Sequence, residues 1–139
     1  MEYRTLGRTG VQVSRPCFGT MSFGGDADEA TSAAMFRRCR DAGINFFDCA
    51  DVYQAGRSEE ILGRAVAGDR DELVITTKVH FPMGPGVNQR GLSRRHIMQA
   101  VTGSLRRLAT DRIDLYFVHG FDALTPMDET LRALDDLVH

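Results

Sequence analysis

The chain has 139 residues, of which 42% are hydrophobic and 26% charged, a composition typical of one ordinary globular domain rather than of a disordered or fibrous chain. Its net charge of −2 comes from interspersed acidic and basic residues, so the sequence indicates neither nucleic acid nor an anionic membrane as a partner. The N-terminus does not read as a signal sequence, and no apolar run approaches the ~20 residues of a membrane span.

The first 15 residues predict a short β-hairpin. Val11 and Val13 alternate with polar residues, as in a half-exposed strand, and Gly7 and Gly10 flank the turn.

The cysteines predict free thiols. Cys17, Cys39 and Cys49 are odd in number and lack the spacing of a zinc site or of a C-x-x-C redox motif. We therefore expect a cytoplasmic location and no metal site.

From residue 16 to residue 139, strand patterns and helix patterns alternate four times. The predicted strands are 16–20, 44–48, 73–78 and 114–119. Each is followed by a helix whose predicted N-cap is Asp28, Ser58, Ser93 or Thr125. The stripes expected to face inward are Ala33, Phe36 and Cys39; Ile61, Leu62, Ala65 and Val66; Ile97, Val101, Leu105 and Leu108; and Met127, Leu131, Leu134 and Val138.

The fourth helix has the clearest start signal. Thr125 is the predicted N-cap, Pro126 occupies the first helical position, and Asp128 completes a T-x-x-D capping pattern. Elsewhere we expect His96 and His139 to be exposed.

Four strand-helix units in series predict a parallel sheet, either an open doubly wound sheet or a closed barrel. The first strand is not followed by G-x-G-x-x-G, and the G-x-G at Gly84 to Gly86 lies in a Pro-rich loop. The barrel is therefore favoured. Because a barrel of eight units needs about 250 residues, we expect a single incomplete domain, the first four βα units of a (β/α)₈ barrel behind an N-terminal hairpin.

An open half-barrel would leave the first and fourth strands of its parallel sheet unpaired. Unpaired strand edges are sites of association between chains. We therefore expect either self-association through these edges or a sequence that is part of a longer protein.

Ionisable side chains follow consecutive strands at one rim of this sheet. Asp48, Lys78 and His119 end the second, third and fourth strands, and Tyr53 lies on the loop after the second. The carboxyl ends of parallel strands share one edge, which in barrels carries the catalytic residues. Each residue alone is more often structural, but four at one rim indicate a functional site.

These four residue types suit the transfer of a proton to a developing oxyanion. A tyrosine hydroxyl, with a reference pKa near ~10, is a weak acid, but an ammonium about 4 Å away stabilises the phenolate. Lys78 would thus make Tyr53 a usable donor, Asp48 would hold Lys78, and His119 would orient a carbonyl oxygen. No side chain here supplies hydride, so the reduction of a carbonyl would need a nicotinamide cofactor.

The sequence resembles the N-terminal half of an aldo-keto reductase. The matching stretches are YRTLGRTGVQVSRPCFGTMSFGG, DAGINFFDCADVYQAGRSEEILGRAV, VITTKV, SLRRLATDRIDLYFVHGFD and TPMDETLRALDDLV. This resemblance implies a (β/α)₈ barrel whose bottom is closed by a hairpin, and a catalytic tetrad of Asp48, Tyr53, Lys78 and His119. It also implies reduction of small aldehydes and ketones with NADP(H), or less often NAD(H).

The resemblance further implies that Gly19, Thr20 and Met21, together with Asp48, approach the nicotinamide ribose. Three aromatic residues follow strands at the same rim and are candidates for a substrate pocket, although packing of the loops onto the rim explains each equally well: Phe23, Phe81 and Phe121.

An alternative of a different class remains open. The fold resembles the β subunits of voltage-gated potassium channels, so the chain could be a non-catalytic regulatory protein or scaffold, or a catalytically incomplete fragment. The intact tetrad favours the enzyme, and the absence of a second half favours the alternative.

Overall fold

The computed structural model describes all 139 residues, and its element order follows the alternation predicted from the sequence. The strands are β1 (Tyr3–Thr5), β2 (Gln12–Ser14), β3 (Phe18–Gly19), β4 (Phe46–Asp48), β5 (Val74–Val79) and β6 (Leu115–Val118). The α-helices are α1 (Glu29–Asp41), α2 (Arg57–Val66), α3 (Arg94–Leu108) and α4 (Met127–Val138), and 3₁₀ turns span Tyr53–Gly56 and Arg70–Glu72.

The strands form two sheets. β1 and β2 pair antiparallel as the predicted hairpin, whereas β3, β4, β5 and β6 form one parallel sheet in chain order. In the parallel sheet Gly19 pairs with Asp48, and Asp48 pairs with Thr76. Because the order follows the chain, each connection between neighbouring strands carries one helix, and β3 and β6 are the open edges.

The main hydrophobic core lies around β4 and β5. Phe47, Leu62, Ile75 and Leu108 are at most 1% exposed and belong to one cluster. Five of the six residues of β5 are buried, as its β-branched sequence predicts for a strand that is covered on both faces. The core therefore fixes the two strands that deliver the candidate site.

Two predicted helix caps are confirmed. The side chain of Asp28 accepts a hydrogen bond from Thr31 N at 2.8 Å, and Ser93 Oγ accepts one from His96 N at 3.3 Å. These bonds satisfy amides that have no partner inside the helix.

The other two predicted caps are wrong. α2 begins two residues earlier than a Ser58 cap predicts, after Gly56 in the left-handed conformation (φ 93°), and Ser58 Oγ instead donates to Thr20 O at 2.7 Å. α4 has Pro126 at its N-cap, and Thr125 Oγ1 donates to Asp122 Oδ2 at 2.8 Å. In both cases the hydroxyl donates a hydrogen bond to a residue in a loop instead of accepting one from a helix amide.

The predicted inward stripe of α4 is mostly wrong. Met127, Leu131 and Val138 are exposed, while Thr130 and Ala133 are buried. Nothing in this structure packs on the side of α4 that carries the three exposed residues.

The predicted stripe of α3 is half correct. Ile97 and Leu108 are buried, but Val101 and Leu105 are only half-buried, and His96, predicted to be exposed, is 3% exposed. α2 approaches α3 so closely that a Cβ at Gly63 would lie 2.6 Å from the backbone carbonyl of Leu108. The buried face of α3 consists of His96, Ile97, Ala100, Ser104 and Leu108.

Each helix is too short or too polar to span a membrane.

Candidate active site

The structure brings the four rim residues together at the carboxyl end of the parallel sheet. Asp48 is the last residue of β4, Lys78 is the penultimate residue of β5, and His119 directly follows β6. Tyr53 begins the 3₁₀ turn after β4.

Lys78 lies at the centre of the site. Its Nζ donates to Asp48 Oδ2 at 2.7 Å, to Cys49 O at 2.6 Å and to Tyr53 Oη at 3.2 Å. An ammonium has three protons to donate, so this arrangement uses all of them and fixes the charge beside the phenol. Lys78 Nζ also lies 4.8 Å from the centroid of the Tyr53 ring.

The carboxylate of Asp48 has a second partner that sequence reasoning missed. Thr76 Oγ1 donates to Asp48 Oδ1 at 2.6 Å, and Thr76 is 1% exposed. The available signal was that Thr76 precedes Lys78 by two residues, which places both side chains on the same face of β5. Thr76 thus fixes the oxygen of Asp48 that Lys78 does not use.

The environment of Lys78 keeps it positively charged. Burial alone would lower the pKa of Lys78, but its hydrogen bonds to Asp48 and Tyr53 raise that pKa above the ordinary value. The side chain of Lys78 is 14% exposed, so its charge acts on Tyr53 with limited solvent screening.

His119 stands against the ring of Tyr53. The two rings meet edge to face with centroids 5.7 Å apart, and Phe81 packs against His119 in the same manner at 5.1 Å. Burial, followed by the positive charge of Lys78, lowers the pKa of His119. The imidazole is therefore neutral at neutral pH, with one ring N–H to donate, and its Nδ1 is buried without a partner.

A strained turn holds Tyr53. Gln54 and Ala55 both have left-handed backbones, at φ 50° and 53°, and Gly56 follows at φ 93°. Non-glycine residues are costly in this region, and such strain is concentrated at functional sites. Gln54 Nε2 donates to Met21 O at 3.3 Å, which ties the turn to the loop after β3.

The residues expected to approach a nicotinamide ribose divide into two kinds. Gly19 and Met21 are exposed, and a Cβ at Gly19 would meet nothing within 4 Å. Thr20 is fully buried: its N and Oγ1 donate to Asp48 O at 2.9 and 3.0 Å. Thr20 therefore positions β4, while Gly19 and Met21 form an open surface beside Asp48.

The three candidate substrate-lining aromatics lie in different environments. Phe23 is fully buried against Phe18, with ring centroids 6.0 Å apart, so the expectation that it lines a pocket is wrong for this structure. Phe81 is 40% exposed and contacts His119, whereas Phe121 is 77% exposed in the loop before α4. Only Phe81 among them contacts the cluster of four.

Comparison with known proteins identifies relatives over nearly the whole chain. The sequence model of the Aldo/keto reductase family matches residues 16–139. A probable voltage-gated potassium channel subunit beta of Oryza sativa subsp. japonica is 45% identical over 139 residues, which cover 97% of this chain and 42% of that protein. The uncharacterized oxidoreductase YrpG of Bacillus subtilis (strain 168) is 45% identical over 150 residues, covering 99% of this chain and 46% of that protein.

A solved structure confirms the predicted fold. The holo form of aldo-keto reductase AKR11C1 from Bacillus halodurans superposes with a TM-score of 0.87 at 38% identity, covering 99% of this chain and 46% of that one. The chain thus spans less than half the length of the relatives that it matches, and its open parallel sheet corresponds to part of their barrel.

Proposed function

This chain belongs to the aldo/keto reductase family, and on that premise we propose that it provides the proton-donating site of a nicotinamide-dependent oxidoreductase that reduces small aldehydes and ketones. The observation that carries the proposal is the continuous contact from Asp48 through Lys78 to Tyr53, with Lys78 Nζ at 2.7 Å from the carboxylate and 3.2 Å from the phenol.

Each of the four residues has a distinct role in this proposal. Tyr53 donates its phenolic proton to the carbonyl oxygen of the substrate as negative charge develops there. Lys78 stabilises the phenolate that remains, because its ammonium is hydrogen-bonded to that oxygen. Asp48 holds the ammonium in place. His119, neutral and beside the phenol ring, donates a hydrogen bond that orients the carbonyl.

The residues present fit a nicotinamide group at this rim. Gly19 and Met21 offer an open surface next to Asp48, and a Cβ at position 19 would meet no other atom within 4 Å. We propose NADP(H) rather than NAD(H) as the cofactor, following the family resemblance, and the solved relative in its holo form supports a nicotinamide cofactor in general. When bound, the nicotinamide supplies the hydride.

A second candidate function is regulatory. Two relatives, from Oryza sativa subsp. japonica and Arabidopsis thaliana, are described as probable voltage-gated potassium channel beta subunits, at 45% and 43% identity. In this role the chain would bind a channel partner, and the rim cluster would bind a cofactor without turnover.

The two candidates are separated by two measurements on the chain. NADPH binding is followed by fluorescence titration, and turnover by reduction of 4-nitrobenzaldehyde, with Tyr53→Phe as the test variant. Tyr3→Phe is the matched control, since Tyr3 is an exposed residue of the hairpin. The reductase proposal expects turnover that Tyr53→Phe abolishes and Tyr3→Phe preserves. Binding without turnover in the wild-type chain favours the regulatory role, and turnover unchanged by Tyr53→Phe contradicts the assigned proton donor.

A further inference from the structure

Asp51 is a buried carboxyl group that no other side chain hydrogen-bonds. It is 0% exposed, and neither of its oxygens has a side-chain partner, so that its one favourable contact is local, with the backbone of Val52. Buried polar groups are almost always paired, and buried carboxylates in particular. Asp51 lies two residues before Tyr53, on the turn that carries the proposed proton donor, so its state bears directly on the site.

A neighbouring carboxyl group has the partners that Asp51 lacks. Glu59 is also 0% exposed, but it accepts hydrogen bonds from Thr77 Oγ1 at 2.6 Å and from Arg107 Nε at 2.6 Å. The cation beside the pair is thus bound to Glu59. Burial, followed by the negative charge of Glu59, raises the pKa of Asp51 to about 7.

The cations around Asp51 do not offset its burial. Arg107 and Lys78 lower the pKa of Asp51, but by less than burial and Glu59 raise it. The titratable and charged groups that face it are Glu59 of α2, Lys78 of β5, His96 and Arg107 of α3, and Tyr116 of β6. Burial lowers the pKa of His96, so this imidazole carries no charge at neutral pH. Tyr116 Oη is itself buried without a partner.

The backbone of Asp51 is joined to the catalytic lysine. Asp51 N donates to Lys78 O at 3.2 Å, while Lys78 Nζ donates to Cys49 O at 2.6 Å, so both ends of the residue 49–51 turn are bound to one residue. Tyr53 N closes the turn by donating to Ala50 O at 3.2 Å. The left-handed residues that follow Tyr53 add strain, and such a turn stays closed only while its packing holds it.

Space for a second position of the carboxyl group lies next to it. Asp51, His96 and Arg107 line a cavity of about 190 Å³ together with the exposed residues Gln89 and Gln99. An ionised Asp51 would gain water and the Arg107 guanidinium by turning into this cavity, whereas a neutral Asp51 gains little from leaving its buried position.

We propose that Asp51 is a positioning residue of the site: its neutral carboxyl group keeps the turn of residues 49–53 closed, and its ionisation releases the turn, so that Tyr53 loses its contact with Lys78. The proton leaves to water through the cavity. The inference rests on the proposed function only where it concerns turnover, since the movement of Tyr53 is a structural event. Reductase activity would then fall as Asp51 ionises.

The test follows the Tyr53 ring by NMR. The chain contains three tyrosines, and ¹³C-labelled tyrosine rings give three sets of signals, of which that of Tyr53 is assigned by its loss in Tyr53→Phe. In the wild-type chain we expect the Tyr53 signal to shift with a midpoint near pH 7. Asp51→Asn mimics the neutral carboxyl group, so the shift should vanish in this variant.

A second variant moves the midpoint instead of removing it. Glu59→Gln takes away the like charge and frees Arg107 to attract Asp51, so the midpoint should fall by about one pH unit. A transition that persists in Asp51→Asn would assign the titration to another group and overturn the proposal. So would a wild-type ring signal that stays constant between about pH 5 and pH 9.

Turnover gives an independent reading. In the wild-type chain kcat should fall above about pH 7, while Asp51→Asn should keep its kcat there with the KM for NADPH unchanged. A kcat that falls equally in both proteins overturns the proposal. If neither protein turns over substrate, the reductase proposal has failed, and the ring signals still decide the role of Asp51.

Discussion

The centre of the parallel sheet and its β6 edge differ in how completely their side chains find partners. At the centre, Asp48 and Lys78 make hydrogen bonds with every charged atom, and the core beneath them is closed. At the edge, Val118, Met127 and Leu131 are 44%, 60% and 58% exposed, although the sequence predicts an inward stripe on α4. The apolar side chains of the main core are thus buried, whereas Val118, Met127 and Leu131 at the β6 edge are exposed.

The difference teaches what a hydrophobic pattern specifies. A stripe of apolar residues predicts the side of a helix that will be covered, but burial needs a second surface, and the side of α4 that carries Met127 and Leu131 has none in this structure. The rim cluster lies beside the closed core, against which Tyr53 packs.

The largest expected effect comes from breaking the central cluster. Replacing Lys78 with Met removes the charge that stabilises the Tyr53 phenolate, so kcat for carbonyl reduction should fall by roughly 10²–10⁴-fold. Steady-state kinetics measure the loss, and circular dichroism serves as the check that the variant is folded. A folded Lys78→Met protein with nearly full activity would contradict the proposed role of Lys78.

A matched pair of leucines tests the contrast between the core and the edge. Leu62→Ala, at a fully buried position of α2, should lower the free energy of unfolding by about 2–5 kcal/mol through lost burial and a residual cavity. Leu131→Ala, on the exposed side of α4, should change it by about 0.5 kcal/mol or less. Urea unfolding at two protein concentrations measures both.

The same pair also tests self-association, which the sequence predicts for the open sheet edges. If a second copy covers the β6 edge in solution, Leu131→Ala should destabilise the protein strongly and in a concentration-dependent way. Equal losses for the two variants at every concentration would contradict both descriptions of the edge.

Most of the fold could be predicted because each strand and helix has its own local pattern, and the relation to a solved aldo-keto reductase confirms the result. The rim cluster could be predicted because the ends of parallel strands meet at one edge. Thr76 was missed because its spacing from Lys78 places it on the same face of β5 but does not show that it lies opposite Asp48 until the register is known. The positions of Ser58 and Thr125 were mispredicted because each hydroxyl binds a residue in a distant or preceding loop.

Within the well-bonded centre, Asp51 is a carboxyl group without a side-chain partner, and it predicts a pH dependence of stability. Its pKa is about 7 in the folded chain and about 3.9 when unfolded, so between these values the folded state binds one more proton than the unfolded state. Stability should therefore fall as pH rises from about 4 to 7, on the order of 1.4 kcal/mol per pH unit from this group. His96 and His119, whose pKa values are lowered, act in the opposite direction near neutral pH.

The contribution of Asp51 is isolated by subtraction. The difference in free energy of unfolding between Asp51→Asn and the wild-type chain should grow with pH up to about 7 and then level off, because both histidines are present in both proteins. Chemical denaturation at a series of pH values measures it. A difference that is independent of pH would mean that Asp51 has the same pKa in both states.

The smallest effect concerns helix starts, where the two regions differ again. Ser93→Ala removes a side chain that caps α3 by accepting from His96 N, and it should cost about 1 kcal/mol. Thr125→Ala should cost about 0.5 kcal/mol or less, because Thr125 caps no amide of α4 and binds only the partly exposed Asp122. Thermal unfolding of the two variants under one condition gives the ranking. If the two variants lose the same free energy of unfolding, the conclusion that Thr125 does not cap α4 is contradicted, and the two regions do not differ in their helix starts.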